Sequence, residues 1–176
     1  MTLIFYLLIA FILLYSIILH EIAHGKVAEM MGDSTARMYG RITLNPIPHI
    51  DPFGFALPIL LLLLRAPIVF GWAKPVPINP YNFTDYKKGM IWVSAAGIIT
   101  NLFLAWMFAT VLKLLPQPST MLMVDVYRAL EFGVVINIVL AVFNLLPIPP
   151  LDGSRLFSML LPSRYSQYID RMEPYG

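Results

Sequence analysis

The chain has 176 residues, of which 59% are hydrophobic and 12% charged, and its mean hydropathy is +0.74. Ordinary globular domains contain about 45–50% apolar and about 25% charged residues, so this composition excludes a typical soluble domain and predicts one polytopic membrane domain over residues 1–176. The net charge of +2 is too small to indicate a nucleic-acid partner, and the absence of cysteine excludes disulfides, thiolate metal ligands and cysteine-protease chemistry.

The first predicted element is a membrane-spanning helix from Thr2 to Met31, which ends at Gly32. Its uncharged part, Met1 to Leu19, is long enough to cross a bilayer. This run lacks the basic start and the small-residue cleavage site of a signal peptide, so we expect it to be retained. The pentapeptide His20-Glu21-Ile22-Ala23-His24 follows it directly.

The pentapeptide has the spacing of a metal-binding helix. Positions i and i+4 lie one above the other at about 3.6 residues per turn, so the imidazoles of His20 and His24 can converge on one ion. Glu21 lies about 100° around the helix from His20, where a general base can take a proton from metal-bound water. Because unpartnered ionisable groups at membrane depth are costly, we interpret residues 1–31 as a functional metal-binding helix.

An insertion over residues 33–89 is predicted next. Asp33 to Pro52 is polar and rich in turn residues, and the alternation of Arg41 to Leu44 is typical of a strand. Phe53 to Leu64 is apolar but too short for the roughly 20 residues of a spanning helix, so we expect a re-entrant or interfacial segment.

Two further spanning helices complete the predicted core. The first covers 90–115, and the second begins near Thr120 and leads into a proline-broken segment, so that 120–153 combines a helix with an unwound end. Residues 154–176 are predicted to form a cytosolic tail. The fold class is therefore an all-α polytopic membrane protein with three core transmembrane helices, a re-entrant or interfacial segment and a small β-like or loop insertion.

A catalytic zinc usually has three protein ligands and one open position, so a third ligand is needed. Asp152 is the best candidate, because the prolines of Pro147 to Pro150 unwind the chain and a carboxylate on such a segment at membrane depth needs a partner. Asp152 could instead cap the stretch that follows. His49 and Asp51 are rival ligands, although their proline-rich turn is more typical of solvated side chains.

These residues resemble the site-2 protease family of intramembrane zinc metalloproteases, in its compact bacterial form without a PDZ domain. His20 to His24 is similar to the metal-binding helix of the family, and Asn144 to Gly153 is similar to its second motif. Ser94 to Gly97 together with Asn101 resembles the small-residue motif on the intervening helix, although Ile98 stands where the family usually has proline.

The resemblance implies that His20, His24 and Asp152 bind one zinc ion and that Glu21 is the catalytic base. It implies a weaker assignment of Asn144 to contact with the substrate backbone or the oxyanion. The expected activity is hydrolysis of peptide bonds within or near transmembrane segments, with a transmembrane protein as substrate and the lipid bilayer as surroundings. Relatives of this kind typically enter another apolar span after the position of Gly176, and the sequence leaves open whether it is truncated there.

Two other functions fit the same residues. A metal-ion transporter could use the two histidines and Asp152 as a transit site, but it would not need Glu21. A catalytically inactive homologue could bind membrane helices without cleaving them. The sequence does not indicate an oligomeric state.

Topology follows from the depth of the ligands. Asp152 must reach the depth of His20 and His24, so the first helix and the helix before Asp152 should be parallel, with the 90–115 helix antiparallel to both. Only two cations, Lys113 and Arg128, lie on the side of the N-terminus, whereas ten lie on the side reached after the first helix. The positive-inside rule then predicts a cytoplasmic location for the second side, an active site towards the cytoplasm and, for the bacterial family, the inner membrane. The ten cations are Lys26, Arg37, Arg41, Arg65, Lys74, Lys87, Lys88, Arg155, Arg164 and Arg171.

Overall fold

Three long apolar helices dominate the computed structural model of the protein, which describes residues 2–54, 56, 60, 64 and 74–162. All three are long and apolar enough to cross a membrane. The fold-class prediction of an all-α protein with three core spanning helices is confirmed. In chain order, the helices are α1 (Leu3–Met30), the short α2 (Thr35–Met38), α3 (Tyr86–Leu114), α4 (Met121–Asn144) and α5 (Asp152–Leu160), with 3-10 turns at Ile47–His49 and Pro80–Asn82.

Side-chain caps and one glycine define the ends of the long helices. Asp85 accepts a hydrogen bond from the Lys88 backbone N–H at 3.0 Å, so α3 begins at Tyr86, earlier than the predicted Met90. Thr120 caps α4 in the same way, at 3.2 Å from Met123 N. After α1, Gly32 has a φ of 110°, a left-handed conformation that reverses the chain and that glycine adopts without strain.

Contacts along α1 and α4 establish that these helices are parallel. Thr2, just before α1, donates to Asp125 in the early part of α4. Asn137, further along α4, donates to Ser16 of α1 at 2.9 Å. The contacts advance in the same direction along both helices, as predicted, and the segment after α4 therefore arrives at the end of α1 that carries the histidines.

The helix between them, α3, is antiparallel to both. His24 contacts the backbone oxygen of Val93, whereas His20, earlier in α1, contacts Asn101, later in α3. Asn101 also donates to Asn137 of α4 at 2.9 Å. This order is the predicted one, and it places the middle of α3 beside the histidine pair.

Small residues bring the helices close together. Helices in lipid associate through van der Waals packing and interhelical hydrogen bonds, since lipid tails are as apolar as the side chains. A Cβ atom at Gly133 of α4 would lie 2.9 Å from the ring of Phe108 on α3, so glycine is needed for this approach. One buried cluster centres on Phe5, Ile12 and Ala129, and a second on Ala28, Phe83 and Val93.

The predicted strand at Arg41 to Leu44 is wrong, since residues 42–44 form bends, Arg41 belongs to no helix or strand, and the described part of the chain contains no strand. Local side-chain bonds explain the difference. Thr43 Oγ1 accepts from Asn45 N at 3.2 Å and thereby offers the backbone a turn instead of a ladder. Residues 41–44 are consequently part of a loop. Most of the predicted re-entrant segment, Phe53 to Leu64, lies outside the described residues, as does 163–176 of the predicted tail.

Candidate metal centre

Three ligand atoms converge where α1 meets the start of α5. The Nε2 atoms of His20 and His24 are 2.9 Å apart, and Asp152 Oδ2 lies 3.2 and 3.1 Å from them. These residues form the one group of three or more potential ligands within 4.8 Å that is found among the described residues. The separate stretches of sequence predicted to supply the ligands are thus brought together.

The local sequence explains each ligand's position. His20 and His24 lie one turn apart on α1, and both are buried. Asp152 is the first residue of α5, after a segment in which prolines prevent α4 from continuing beyond Asn144. Gly153 permits the turn, because a Cβ atom there would lie 2.5 Å from the Leu146 backbone oxygen. The N-cap residue of α5 is Leu151, and the Asp152 carboxylate lies beside the histidines instead of in the capping position.

The other ring nitrogen of each histidine is also engaged. His24 Nδ1 lies 2.7 Å from the Val93 backbone oxygen, which can only accept, so Nδ1 carries the hydrogen and Nε2 presents a lone pair. His20 Nδ1 lies 2.6 Å from Asn101 Oδ1. Asn101 is fully buried. Asn101, which the sequence analysis placed in a motif on the intervening helix, thus contacts a candidate ligand.

Glu21 lies beside the ligands and is held by a backbone group. Its Oε2 accepts a hydrogen bond from Val76 N at 2.8 Å. Arg41, which is 5% exposed, fixes this loop by donating to the Lys74 oxygen at 2.6 Å and to the Pro75 oxygen at 3.2 Å. The sequence analysis missed Val76 and Arg41. A signal existed, since the prolines on both sides of Val76 lack an N–H and leave Val76 as the donor between them.

A cavity of about 480 Å³ opens onto these residues, a volume typical of a small-molecule or peptide site. Ile17 of α1 and Leu140 and Phe143 of α4 provide apolar lining. Asn144 also lines the cavity, and its Nδ2 donates to the Leu140 oxygen at 3.0 Å.

The rival ligands are engaged elsewhere. His49 is 2% exposed, and its Nε2 lies 2.9 Å from the Thr43 backbone oxygen. Asp51 accepts from Gly54 N at 2.7 Å. Neither belongs to the cluster of His20, His24 and Asp152.

The donor set fits a metal ion. Asp152 Oδ2 is a buried acceptor atom that lies between the two imidazoles. Its contacts with them lack hydrogen-bond geometry, so Oδ2 has no hydrogen-bond partner. A cation would satisfy all three atoms at once. Burial raises the pKa of Asp152, but interaction with His20 and His24 in their protonated form outweighs burial and lowers that pKa to about 2. Asp152 is therefore a candidate ligand that is anionic at neutral pH, and a bound cation would take the place of the imidazole protons.

Two imidazoles and a carboxylate that open onto a cavity, with a second carboxylate alongside, define a metallopeptidase-type site on apolar helices. Comparison with known proteins agrees. The model of peptidase family M50 matches residues 114–172. The chain is 38% identical over 168 residues to the candidate zinc metalloprotease YwhC of Bacillus subtilis, which covers 93% of this chain and 74% of YwhC.

Two further relatives extend this comparison. The candidate zinc metalloprotease MJ0611 of Methanocaldococcus jannaschii is 33% identical over 150 residues, or 82% of this chain and 71% of MJ0611. The candidate zinc metalloprotease Rip2 of Mycolicibacterium smegmatis is 32% identical over 141 residues, or 80% of this chain and 52% of Rip2. No solved structure matches the chain. The chain belongs to peptidase family M50, the site-2 protease family, and is a metalloprotease, which confirms the resemblance inferred from the two motifs.

Proposed function

We propose that this chain is an intramembrane zinc endopeptidase that hydrolyses peptide bonds within or near the transmembrane segments of other membrane proteins. The observation that carries the proposal is the position of the ligand cluster. His20 and His24 lie inside a 28-residue apolar helix, and Asp152 meets them there. A hydrolytic site so placed has little access to soluble proteins.

The depth of the cluster can be worked out from helix geometry. At about 1.5 Å per residue, the stretch of α1 from Leu3 to His20 is about 25 Å long. A bilayer has a hydrocarbon core of about 30 Å, so the ligands lie near its far boundary and not at its centre. This depth suits hydrolysis of a membrane segment, because water enters the boundary of the core more readily than its middle.

The proposed roles follow from the atoms available. His20 Nε2, His24 Nε2 and Asp152 Oδ2 would hold zinc, which when bound lowers the pKa of a water ligand toward about 7 and polarises the scissile carbonyl. Glu21 Oε2 already accepts from Val76 N, so Oε1 is the atom that would take the proton from water and pass it to the leaving amine.

Asn144 is proposed to stabilise the oxyanion. A side-chain amide has two N–H donors, and the Leu140 oxygen accepts one of those of Asn144. The second is available to a substrate in the cavity that Asn144 lines. In a site that lipid surrounds, this donor replaces solvation that water would otherwise supply.

Apolar residues support a transmembrane substrate. Ile17 and Leu140 line the cavity from different helices, and Phe143 beside them is 55% exposed, so an apolar segment can be accommodated from the lipid side. The excess of cations after α1 supports an orientation with the ligand cluster towards the cytoplasm, and an inner-membrane location is part of the same proposal.

The proposal is tested with Glu21→Gln, purified and incubated with a panel of single-span membrane proteins. We expect this variant to retain one zinc per chain and to lose cleavage, because the amide cannot accept the proton. Glu29→Gln is the matched control, since Glu29 also lies on α1 but pairs with Lys26 and Arg37. It should retain both zinc and cleavage. Cleavage by Glu21→Gln at the wild-type rate would refute the assignment, and metal flux with no cleavage by the wild type would favour a transporter.

A further inference from the structure

A chain of buried hydrogen bonds crosses the three long helices and ends on His20. Asn137 Nδ2 donates to Ser16 Oγ and to the Gly133 backbone oxygen, both at 2.9 Å. Asn101 Nδ2 donates to Asn137 Oδ1 at 2.9 Å, and Asn101 Oδ1 lies 2.6 Å from His20 Nδ1. Ser16, Asn101 and Asn137 are at most 2% exposed. The proposed roles of Glu21 and Asn144 do not explain why three polar side chains are buried here.

The far end of this chain has a fixed polarity. The Gly133 oxygen belongs to the backbone of α4 and can only accept a hydrogen bond. Asn137 must therefore turn its Nδ2 towards Gly133. Its Oδ1 then faces α3, where it can only accept.

This polarity is passed on to His20 through Asn101. Because Asn137 presents an acceptor, Asn101 must present its Nδ2 to it and its Oδ1 to the histidine. A carbonyl oxygen requires a donor, so the hydrogen of the neutral imidazole lies on Nδ1. The Nε2 atom of His20 is left with the lone pair that faces Asp152 and His24.

His24 shows why such a chain is needed at His20. The partner of His24 Nδ1 is the Val93 backbone oxygen, which cannot exchange places with a donor. The partner of His20 is a side-chain amide, which can rotate by about 180° and present an N–H instead. In that rotated state the hydrogen of His20 would lie on Nε2, and the ring could not bind a metal.

We propose that Asn101, locked by Asn137 against the Gly133 oxygen, is a positioning residue that holds His20 in its metal-binding tautomer. The inference rests on the proposed zinc site. It assigns Asn101 and Asn137 a role in metal affinity rather than in helix association alone. Partners of this kind behind a metal ligand typically change affinity by about 10-fold to 100-fold when they are removed.

The structure predicts a graded series of variants. Asn101→Leu removes the acceptor and should raise the dissociation constant for zinc by about 10-fold to 100-fold. Asn137→Leu changes no direct contact of His20 but frees the Asn101 amide to rotate. Only a fraction of the molecules then keeps His20 in its metal-binding tautomer, so the dissociation constant for zinc should rise by about 2-fold to 10-fold. Ser16→Ala should bind zinc like the wild type, because the Gly133 oxygen alone sets the orientation of Asn137.

The test measures the zinc dissociation constant of each variant of the 176-residue chain by competition with a chelator, together with the visible spectrum of the cobalt-loaded protein. Thr2→Val serves as the distant control, since it removes a polar contact with Asp125 at the opposite end of the bundle. The unfolding midpoint without metal separates loss of fold from loss of affinity. If Asn101→Leu does not fold, Asn101→Asp provides an acceptor for His20 and, when protonated on its other oxygen, a donor to Asn137 Oδ1. Together with Asn137→Leu, this variant keeps the test open.

The expected order of dissociation constants is Asn101→Leu above Asn137→Leu, and Asn137→Leu above Ser16→Ala, with Ser16→Ala equal to wild type. We expect Asn101→Asp to bind zinc with close to wild-type affinity. Wild-type affinity in Asn137→Leu would overturn the inference, as would a weakening in Ser16→Ala as large as in Asn137→Leu. A wild-type protein that binds no zinc would instead refute the proposed function, so the two failures are distinguishable.

Discussion

Gly97 on α3 offers a direct test of how tightly the bundle encloses the histidine pair. A Cβ atom at this position would lie 2.5 Å from His24 Nε2 and 2.6 Å from His20 Nδ1, whereas ordinary contacts begin at 3.4 Å. To reach an ordinary contact distance, the His24 ring would have to move by 0.9 Å and the His20 ring by 0.8 Å. Ligand distances in a metal site are held to about 0.2 Å, so this displacement is about four times what the site can absorb.

Gly97→Ala is therefore expected to weaken zinc binding by about 10-fold, and by about 100-fold if the rings of both histidines turn away. Cleavage should fall by the same factor. Alanine is the better helix former by about 1 kcal/mol, so helix propensity cannot account for such a loss. The assay combines zinc content per chain, the dissociation constant from chelator competition and the unfolding midpoint in detergent.

Gly89→Ala is the matched control on the same helix. A Cβ atom there would lie 2.6 Å from Phe83 Cγ, so the overlap is similar but the metal ligands are not involved. We expect Gly89→Ala to lose about 1–3 kcal/mol of stability through overpacking and to retain zinc. Wild-type zinc affinity in Gly97→Ala, or equal zinc loss in both variants, would refute the reasoning.

Three further predictions concern the base, the loop and the metal. Val76→Pro removes the N–H that holds Glu21, so cleavage should fall by about 10-fold to 100-fold with zinc retained, whereas Val76→Ala should cleave normally in the same peptide-release assay. Burial raises the pKa of Asp33, but hydrogen bonds from its neighbours outweigh burial and lower this pKa. The ionised carboxylate of Asp33 therefore stabilises the fold above the unfolded pKa of about 3.9, and this stabilisation is lost as pH falls through the lower pKa of the folded state. The difference in unfolding midpoint between wild type and Asp33→Asn should accordingly shrink between about pH 6 and about pH 3. A chelator should lower the unfolding midpoint of the wild type but not of Asp152→Ala, since a metal stabilises only the protein that binds it.

Each of these predictions has an outcome that contradicts it. Equal cleavage by the two Val76 variants would show that the backbone donor does not position Glu21. A midpoint difference for Asp33→Asn that stays constant with pH would mean that the charge of Asp33 does not contribute to stability. An equal chelator effect on Asp152→Ala would place the metal at a site without Asp152.

The parts of the site that could be predicted were those set by local rules. His20 and His24 follow from helical periodicity, and Asp152 follows from prolines that force the chain to unwind. The first helix was predicted as Thr2 to Met31 and is observed as Leu3–Met30, because a long apolar run in lipid has few alternatives to a helix.

The parts that could not be predicted depend on contacts between distant segments. The contact of Asn101 with His20 requires a helix register that no local pattern specifies. The hydrogen bond from Val76 to Glu21 joins residues 55 positions apart. The alternation at Arg41 to Leu44 was misleading, because Arg41 is turned inward to hold the loop beside the site.

The most direct test of the central claim is to identify the bond that is cleaved. The wild-type protein and the Glu21→Gln variant would be reconstituted in lipid vesicles with a single-span substrate, and both product fragments would be measured by mass spectrometry. The position of the His20, His24 and Asp152 cluster predicts zinc-dependent cleavage within the spanning segment or at its boundary, and none with Glu21→Gln. Cleavage confined to loops far outside the membrane, or unaffected by Glu21→Gln, would contradict the account.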